Sequence, residues 1–145
     1  MYQTTIPRFC DSLSDQDFLE AFESATIPNG EFKHKDHIRV AYLYLKRDGF
    51  KEGTKRIIEG IQNFARSKNL PNLYHQTITL FWIQMVHQSI SKRQVEPYEA
   101  FLECNPALQR KETIYEFYSP ELLKSEEART KWIKPDLRNY FSVIL

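Results

Sequence analysis

Histidines are the residues of this chain best suited to chemistry, and three of the four lie in two short clusters. His34 and His37 are separated by Lys35 and Asp36, and His75 follows Tyr74 in the second cluster. A neutral imidazole can ligate a transition metal or accept a proton from a bound molecule. We therefore predict a candidate site, for a metal ion or for a small molecule, that His34, His37 and His75 share.

Polar residues near the histidines in sequence extend this candidate site. Carboxylates can complete a nitrogen–oxygen ligand set, or they can orient a ligating ring through a hydrogen bond. The candidates for such supporting roles are Glu31, Asp36, Arg39, Tyr74 and Thr79. Ligands of this type favour Zn, Fe, Mn or Ni over Ca or Mg. The spacing matches no known zinc motif, because H-E-x-x-H and CxxC pairs are both absent. We also expect Arg39 to pair with Asp36, three residues earlier, on a helix surface.

Apolar residues at helical spacing predict the elements that carry the histidines. One helix is expected over about 35–48, with Gly49 as the residue that ends it. A second is expected over about 52–67, and a third over about 72–93. The third carries apolar side chains on more than one face, so we expect Trp82 to be buried.

The connections between these helices are short, which predicts that consecutive helices are antiparallel. The first and third of them then run parallel, and their first turns lie at the same end of the bundle. His34, His37 and His75 belong to those first turns and share the apolar faces. We therefore predict that the three rings converge. Helix N-termini disfavour an imidazolium, so the rings are expected to be neutral near pH 7.

The length predicts one domain over residues 1–145. Apolar residues at helical spacing predict that this domain is all-α, a helical bundle of four or more main helices. Residues 1–13 are expected to form an N-terminal arm that ends at Ser14, the cap of a first helix. Residues 113–145 are less regular in pattern, and we expect this C-terminal segment to pack on the bundle. The sequence contains only four glycines, which argues against a turn-rich β fold.

The distribution of charge excludes several classes of partner. The net charge is +1, and basic residues are interspersed with acidic ones, so we expect neither nucleic-acid nor membrane-surface binding. No apolar run approaches the ~20 residues of a membrane-spanning helix. Cys10 and Cys104 are expected to be unpaired, as in a reducing compartment. We therefore expect a cytoplasmic protein, and the sequence does not predict its oligomeric state.

Two long strings, FKHKDHIRVAYLYL over 32–45 and YHQTITLFW over 74–82, resemble a family of small bacterial proteins of unknown function. Its members carry an F-x-H-x-D-H-x-R-x-A block, then Y-H-x-T-x-T-x-x-W, a Y-S-x-E-x-L segment and a closing P-D-L. The last two read YSPELL over 118–123 and PDL over 135–137 here. The resemblance implies a bacterial origin but no activity. It also implies that eight residues are family features: His34, Asp36, His37, Arg39, Tyr74, His75, Thr77 and Thr79.

Two functional classes stay open at this point. In the first, the chain binds a small molecule or a transition metal at the histidines, with or without catalysis. In the second, it is a non-catalytic module that contacts another protein, and its histidines are structural. A histidine near a helix start often caps the helix or occupies a partly polar corner of the core. The sequence predicts no reaction, substrate or protein partner.

Overall fold

The computed structural model describes residues 8–139, and these residues form helices and loops without any strand. The prediction of an all-α fold is confirmed. The α-helices are α1 (Asp15–Glu23), α2 (His34–Ser67), α3 (Gln76–Lys92), α4 (Tyr98–Cys104), α5 (Pro106–Gln109), α6 (Pro120–Leu123) and α7 (Glu126–Thr130). Short 3-10 helices span Phe9–Ser12, Pro71–Leu73 and Lys111–Glu116. Across this range no helix combines the length and the apolar character needed to cross a membrane.

Gly49 divides α2 into two arms, residues 34–48 and 50–67. Its φ of 81° and ψ of 179° lie outside the helical region, in a conformation that glycine adopts readily. The arms fold back on each other, and a Cβ placed on Gly53 would lie 2.9 Å from the carbonyl oxygen of Tyr44. The predicted break between two helices at Gly49 is therefore confirmed.

Helix α3 runs parallel to the first arm of α2. At one end, His37 of α2 and His75, just before α3, line the same cavity. At the other end, the Tyr42 hydroxyl donates to the carbonyl oxygen of Val95 at 2.7 Å. The prediction that the first turns of the two helices lie together is confirmed. Trp82, on α3, is 9% exposed and so is buried as predicted.

Hydrogen bonds attach the C-terminal segment to α3. The Thr77 hydroxyl, fully buried, donates to the carbonyl oxygen of Lys131 at 2.6 Å and accepts from the amide of Ile133 at 3.1 Å. Within the segment, the Asp136 carboxylate accepts from the amide of Ser119 at 2.9 Å and from its hydroxyl at 2.6 Å. The segment thus packs on the helices as far as residue 139. The rest of the predicted segment, 140–145, and residues 1–7 of the predicted arm lie outside the described residues.

Candidate functional site

Two neighbouring cavities lie where the first turns of α2 and α3 meet. The apolar cavity, of about 120 Å³, is lined by aliphatic side chains of both helices together with His37, His75 and Thr79. The mixed cavity, of about 310 Å³, is lined by His34 and His37, and by side chains of the 3-10 helix Lys111–Glu116. His37, Ile78 and Trp82 border both cavities. The three candidate histidines therefore do lie around one region of the protein, with His37 between the two cavities.

His75 has a structural role, because both of its ring nitrogens bond to the main chain. Nδ1 accepts from the amide of Ile78 at 3.1 Å, which makes His75 the N-cap of α3. Nε2 lies 2.7 Å from the carbonyl oxygen of Leu123. A carbonyl oxygen only accepts, so the ring is the neutral tautomer with its proton on Nε2. Burial is the main reason that the pKa of His75 is lowered. No nitrogen of this ring remains for a ligand.

The predicted start of α3 is wrong, because His75 caps this helix. We expected the helix to begin near Asn72, whereas it begins at Gln76 and is capped by His75. Asn72 instead belongs to the 3-10 helix Pro71–Leu73. Asparagine is a far commoner N-cap than histidine, so residue preference alone pointed to the wrong residue.

His34 is half-buried and uses one ring nitrogen. Nε2 lies 2.9 Å from the carbonyl oxygen of Leu108, and it must be the donor in that bond. The ring also contacts Trp82 edge-on, with centroids 4.7 Å apart. Burial lowers the pKa of His34, and the bond to Leu108 partly offsets that effect. Nδ1 of this neutral ring remains an acceptor, and His34 lines the mixed cavity.

His37 differs from the other two, because none of residues 8–139 forms a hydrogen bond with its ring nitrogens. The half-buried ring contacts Phe32, with centroids 4.2 Å apart. Among the described residues, the one fully buried side-chain polar atom without a partner is Thr54 Oγ1. The nitrogens of His37 also lack a partner but are not fully buried, so they are accessible. Burial is the main reason that the pKa of His37 is lowered from 6.5 to about 4, with a smaller contribution from the neighbouring His34. The ring is thus neutral at pH 7, with one free donor and one free acceptor.

Asp36 and Arg39, two of the predicted supporting residues, hold the N-terminal segment instead. The prediction that they pair with each other is wrong. Asp36 is buried, accepts from the amide of Lys33 at 2.8 Å at the start of α2, and pairs with Arg8. Arg39 is buried too, and it donates to the Asp15 carboxylate and to the carbonyl oxygens of residues 10 and 13, each at 2.9 Å. Both charges are satisfied away from the cavities, which is how buried charges are normally accommodated.

The other three supporting candidates have different positions. Glu31 accepts from the amide of Phe9 at 3.3 Å, and so it also holds the N-terminal segment. The Tyr74 hydroxyl bonds to the side chain of Gln76, and burial raises the pKa of Tyr74 to about 12. Thr79 borders the apolar cavity and is the supporting candidate that the structure places at the site.

The three histidines do not form the metal-ligand set that we predicted for Zn, Fe, Mn or Ni. Among residues 8–139, no three His, Cys, Asp or Glu side chains are placed to hold one ion. The physical reason lies in His75, since its two nitrogens are already committed to the amide of Ile78 and the carbonyl of Leu123.

Three site residues were missed at the level of sequence: Lys111, Glu112 and Tyr115, which line the mixed cavity. They lie on a 3-10 helix more than seventy residues from His34 in sequence. A single 3-10 helix is too short to show a periodic spacing of apolar residues. No local feature of the sequence could therefore predict the position of these three residues.

A larger groove elsewhere is a poorer candidate. It has a volume of about 540 Å³ and runs beside Tyr42, Lys46, Glu96 and Tyr98. Its polar groups are occupied: Lys46 pairs with Glu96 at 2.9 Å, and the Tyr98 hydroxyl donates to a main-chain carbonyl at 2.7 Å. The cavities at His37 are smaller, but they hold the unsatisfied donor and acceptor.

Comparisons with protein-family models, with curated proteins and with solved structures find no match for this chain. The bacterial family that the histidine blocks resemble therefore stays a prediction, and the function must be inferred from the geometry around His37.

Proposed function

We propose that this protein binds a small organic molecule at the two cavities beside His37, and that His37 is the side chain that hydrogen-bonds it. One observation carries the proposal: a neutral imidazole lies between two cavities, and no residue in the described part of the chain satisfies its nitrogens. Because these nitrogens are accessible, a bound molecule with a hydrogen-bond donor or acceptor can reach them. Such a molecule would replace the water that otherwise hydrates the ring.

The size and lining of the cavities support the same function. The mixed cavity, at about 310 Å³, is within the usual range for small-molecule sites. Such sites are mostly apolar and have a few convergent polar groups. His34 Nδ1 and the two nitrogens of His37 are polar groups of that kind, surrounded by Ile78, Trp82 and Leu123.

Binding is better supported than proton-transfer catalysis. A general base works best when its pKa is near the pH of the reaction. The pKa of His37 is lowered to about 4, which makes the ring a weak base at neutral pH. The same shift keeps the ring uncharged, and therefore able both to donate and to accept, over the whole physiological range.

The alternative is a module that binds another protein through its surface, with structural histidines only. The structural role of His75 agrees with it, and so does the exposure of two leucines, Leu70 at 47% and Leu73 at 44%. Leu73 also lines the apolar cavity. Two exposed leucines are a small patch compared with those of typical interaction sites. The small-molecule function therefore has the stronger support.

A cytoplasmic location is part of the proposal. The support for this location is that both cysteines are free: Cys10 is buried and Cys104 is exposed. Secreted domains of modest size commonly pair their cysteines. Labelling of unreduced, denatured protein with a thiol reagent should therefore find two free thiols, and a disulfide would contradict this location.

The binding function can be tested with ligand-detected NMR, using phenol, benzyl alcohol, benzamide and indole as probes. We expect weak binding of at least one probe to the native protein. Replacing His37 with Leu should weaken it about tenfold, the effect of one lost hydrogen bond of ~1.4 kcal/mol. His87→Gln is the matched control, because His87 lies on α3 but contacts Phe50 instead of the cavities, with ring centroids 4.4 Å apart. Failure of every probe to bind, or equal binding to His37→Leu, would overturn the proposal.

A further inference from the structure

The linings of the two cavities differ, and the difference restricts the chemical class of ligand. The apolar cavity is enclosed by Ala41 and Ile57 from the two arms of α2 and by Ile83 from α3. His75 also borders it, but both nitrogens of that ring are occupied by the main chain. Burying a polar group without a hydrogen bond is costly, so the apolar cavity favours a hydrocarbon group.

The volume of the apolar cavity limits the size of that group. It measures about 120 Å³. Apolar protein cavities of about 150 Å³ bind benzene. The apolar cavity can therefore hold a group of up to about six carbons, such as one ring or a short branched chain. A long acyl chain would not fit.

The mixed cavity has a different character, because its rim carries one cation and one anion. Lys111 and Glu112 are both exposed, and neither forms a salt bridge with another described residue. Opposite charges next to each other offer little net attraction to a group of either sign. A ligand with net charge would still lose part of its hydration. The mixed cavity thus favours a polar group that is uncharged or zwitterionic.

We propose that the two cavities act as one site, and that its ligand is a small amphiphile. An apolar end of up to about six carbons occupies the apolar cavity, and a polar end without net charge occupies the mixed cavity. The middle of the ligand passes His37, Ile78 and Trp82, which border both cavities. The inference rests on the function proposed above, and it adds the class of ligand and the way in which the ligand lies.

A series of straight-chain primary amides tests the size of the apolar end. The indole of Trp82 borders both cavities and serves as the fluorescent reporter, in a Trp132→Phe background. Affinity should rise about fourfold for each added methylene, as expected for burial of ~0.8 kcal/mol per group. The rise should stop near six carbons. A rise that continues to ten carbons, or affinity independent of length, would overturn the size limit.

Ala41→Leu tests the location of the apolar end, because a larger side chain at this position fills the apolar cavity. The dependence on chain length should disappear, while propanamide still binds. Thr79→Leu, at the edge of the same cavity, is a second variant in case the first does not fold. Ala107→Leu is the matched control, since Ala107 is exposed on α5 and borders neither cavity. Retention of chain-length dependence in a cavity variant that folds would place the apolar end elsewhere.

The polar end is tested with four compounds that share one phenyl group: 3-phenylpropanamide, L-phenylalanine, 3-phenylpropylamine and 3-phenylpropanoate. The first two carry no net charge and should bind on the order of tenfold more tightly than the last two. Equal binding of all four would contradict the role given to Lys111 and Glu112. If a longer amide displaces only benzene or only acetamide, the cavities are separate sites, and if it displaces neither, the amides bind elsewhere.

The outcomes separate the two proposals. If the affinity of the amides depends on His37 but not on chain length, the binding function is supported and the amphiphilic ligand is refuted. Amides that fail to bind would remove only the amphiphile if one of the four aromatic probes still binds and depends on His37, and would remove both proposals if none of those probes does.

Discussion

Replacing His75 should destabilise the protein by an amount that its two hydrogen bonds predict. Loss of an N-cap costs about 1 kcal/mol, and loss of the bond to Leu123 adds about 1 kcal/mol. The loss at Leu123 rises to as much as about 3 kcal/mol when water cannot replace His75 as the partner of its carbonyl, since an unsatisfied buried group costs about 1–3 kcal/mol. We therefore expect His75→Ala to lower the free energy of unfolding by roughly 2–4 kcal/mol.

His75→Asn is the matched control, because asparagine is a good N-cap but is too short to reach Leu123 from the position of the ring. This variant should keep the cap of α3 and lose only the second bond, with a cost of about 1–2 kcal/mol. Urea unfolding followed by far-UV circular dichroism measures both values, provided that the denaturant dependence is unchanged.

The pH dependence of stability provides a second test of the hydrogen bonds that His75 forms. Burial lowers the pKa of His75 in the folded protein, so the unfolded chain binds the proton more readily. The stability that the neutral ring contributes is present above the ordinary pKa of 6.5 and declines as the pH falls below it. His75→Asn should lack this part of the decline. A cost of His75→Ala below about 0.5 kcal/mol, the range of an ordinary surface site, would refute the structural role.

Three further predictions concern the core and the cavities. Trp82→Ala should cost about 3–5 kcal/mol in urea unfolding, since it removes a large buried ring; a loss below about 1 kcal/mol would contradict its burial. Gly53→Ala should lower the melting temperature, because the added Cβ would lie 2.9 Å from the Tyr44 carbonyl oxygen, and overpacking costs roughly 1–3 kcal/mol; an unchanged melting temperature would show that the arms of α2 separate easily. The lowered pKa of His37, about 4 against an ordinary 6.5, should remove up to about 3 kcal/mol of stability as the pH falls from above 6.5 to below 4. His37→Gln should reduce this dependence of stability on pH. The same pH dependence in the variant and the native protein would show that other groups cause it.

The parts of the fold that the sequence predicted are those determined by local pattern. Apolar spacing and Gly49 together located the two arms of α2, because helical periodicity and a positive φ are both properties of short segments. The short connections before and after the second arm then implied that the first arm and α3 run parallel, which brought the histidine clusters to one end. These steps required no knowledge of distant contacts.

The errors have the opposite cause, since each depends on residues far away in the chain. The helical neighbour rule pairs Arg39 with Asp36, but it cannot include the N-terminal segment that covers both. Arg39 bonds to Asp15, 24 residues earlier. His75 bonds to Leu123, 48 residues later. The tertiary contact in each case satisfies the side chain more completely than a local partner would, and the sequence alone gives no measure of it.

The residues of the two histidine blocks can now be separated by what the fold requires of them. Asp36 starts α2, Arg39 attaches the N-terminal segment, His75 caps α3 and Thr77 attaches the C-terminal segment. Each of these side chains has hydrogen bonds that explain its polarity in a buried position. Stability therefore accounts for four of the eight residues that the resemblance singles out.

His37 is not explained in this way. Its ring fills space against Phe32, which an apolar side chain could also do, and its nitrogens bond to nothing in residues 8–139. Its lowered pKa shows that the fold disfavours the charged form and gains nothing from it. A polar residue that contributes no bond to the folded state, and that lies between two cavities, is more easily explained by what it binds than by what it stabilises. This contrast with His75, which lines the same apolar cavity, is the reason to place the function at His37.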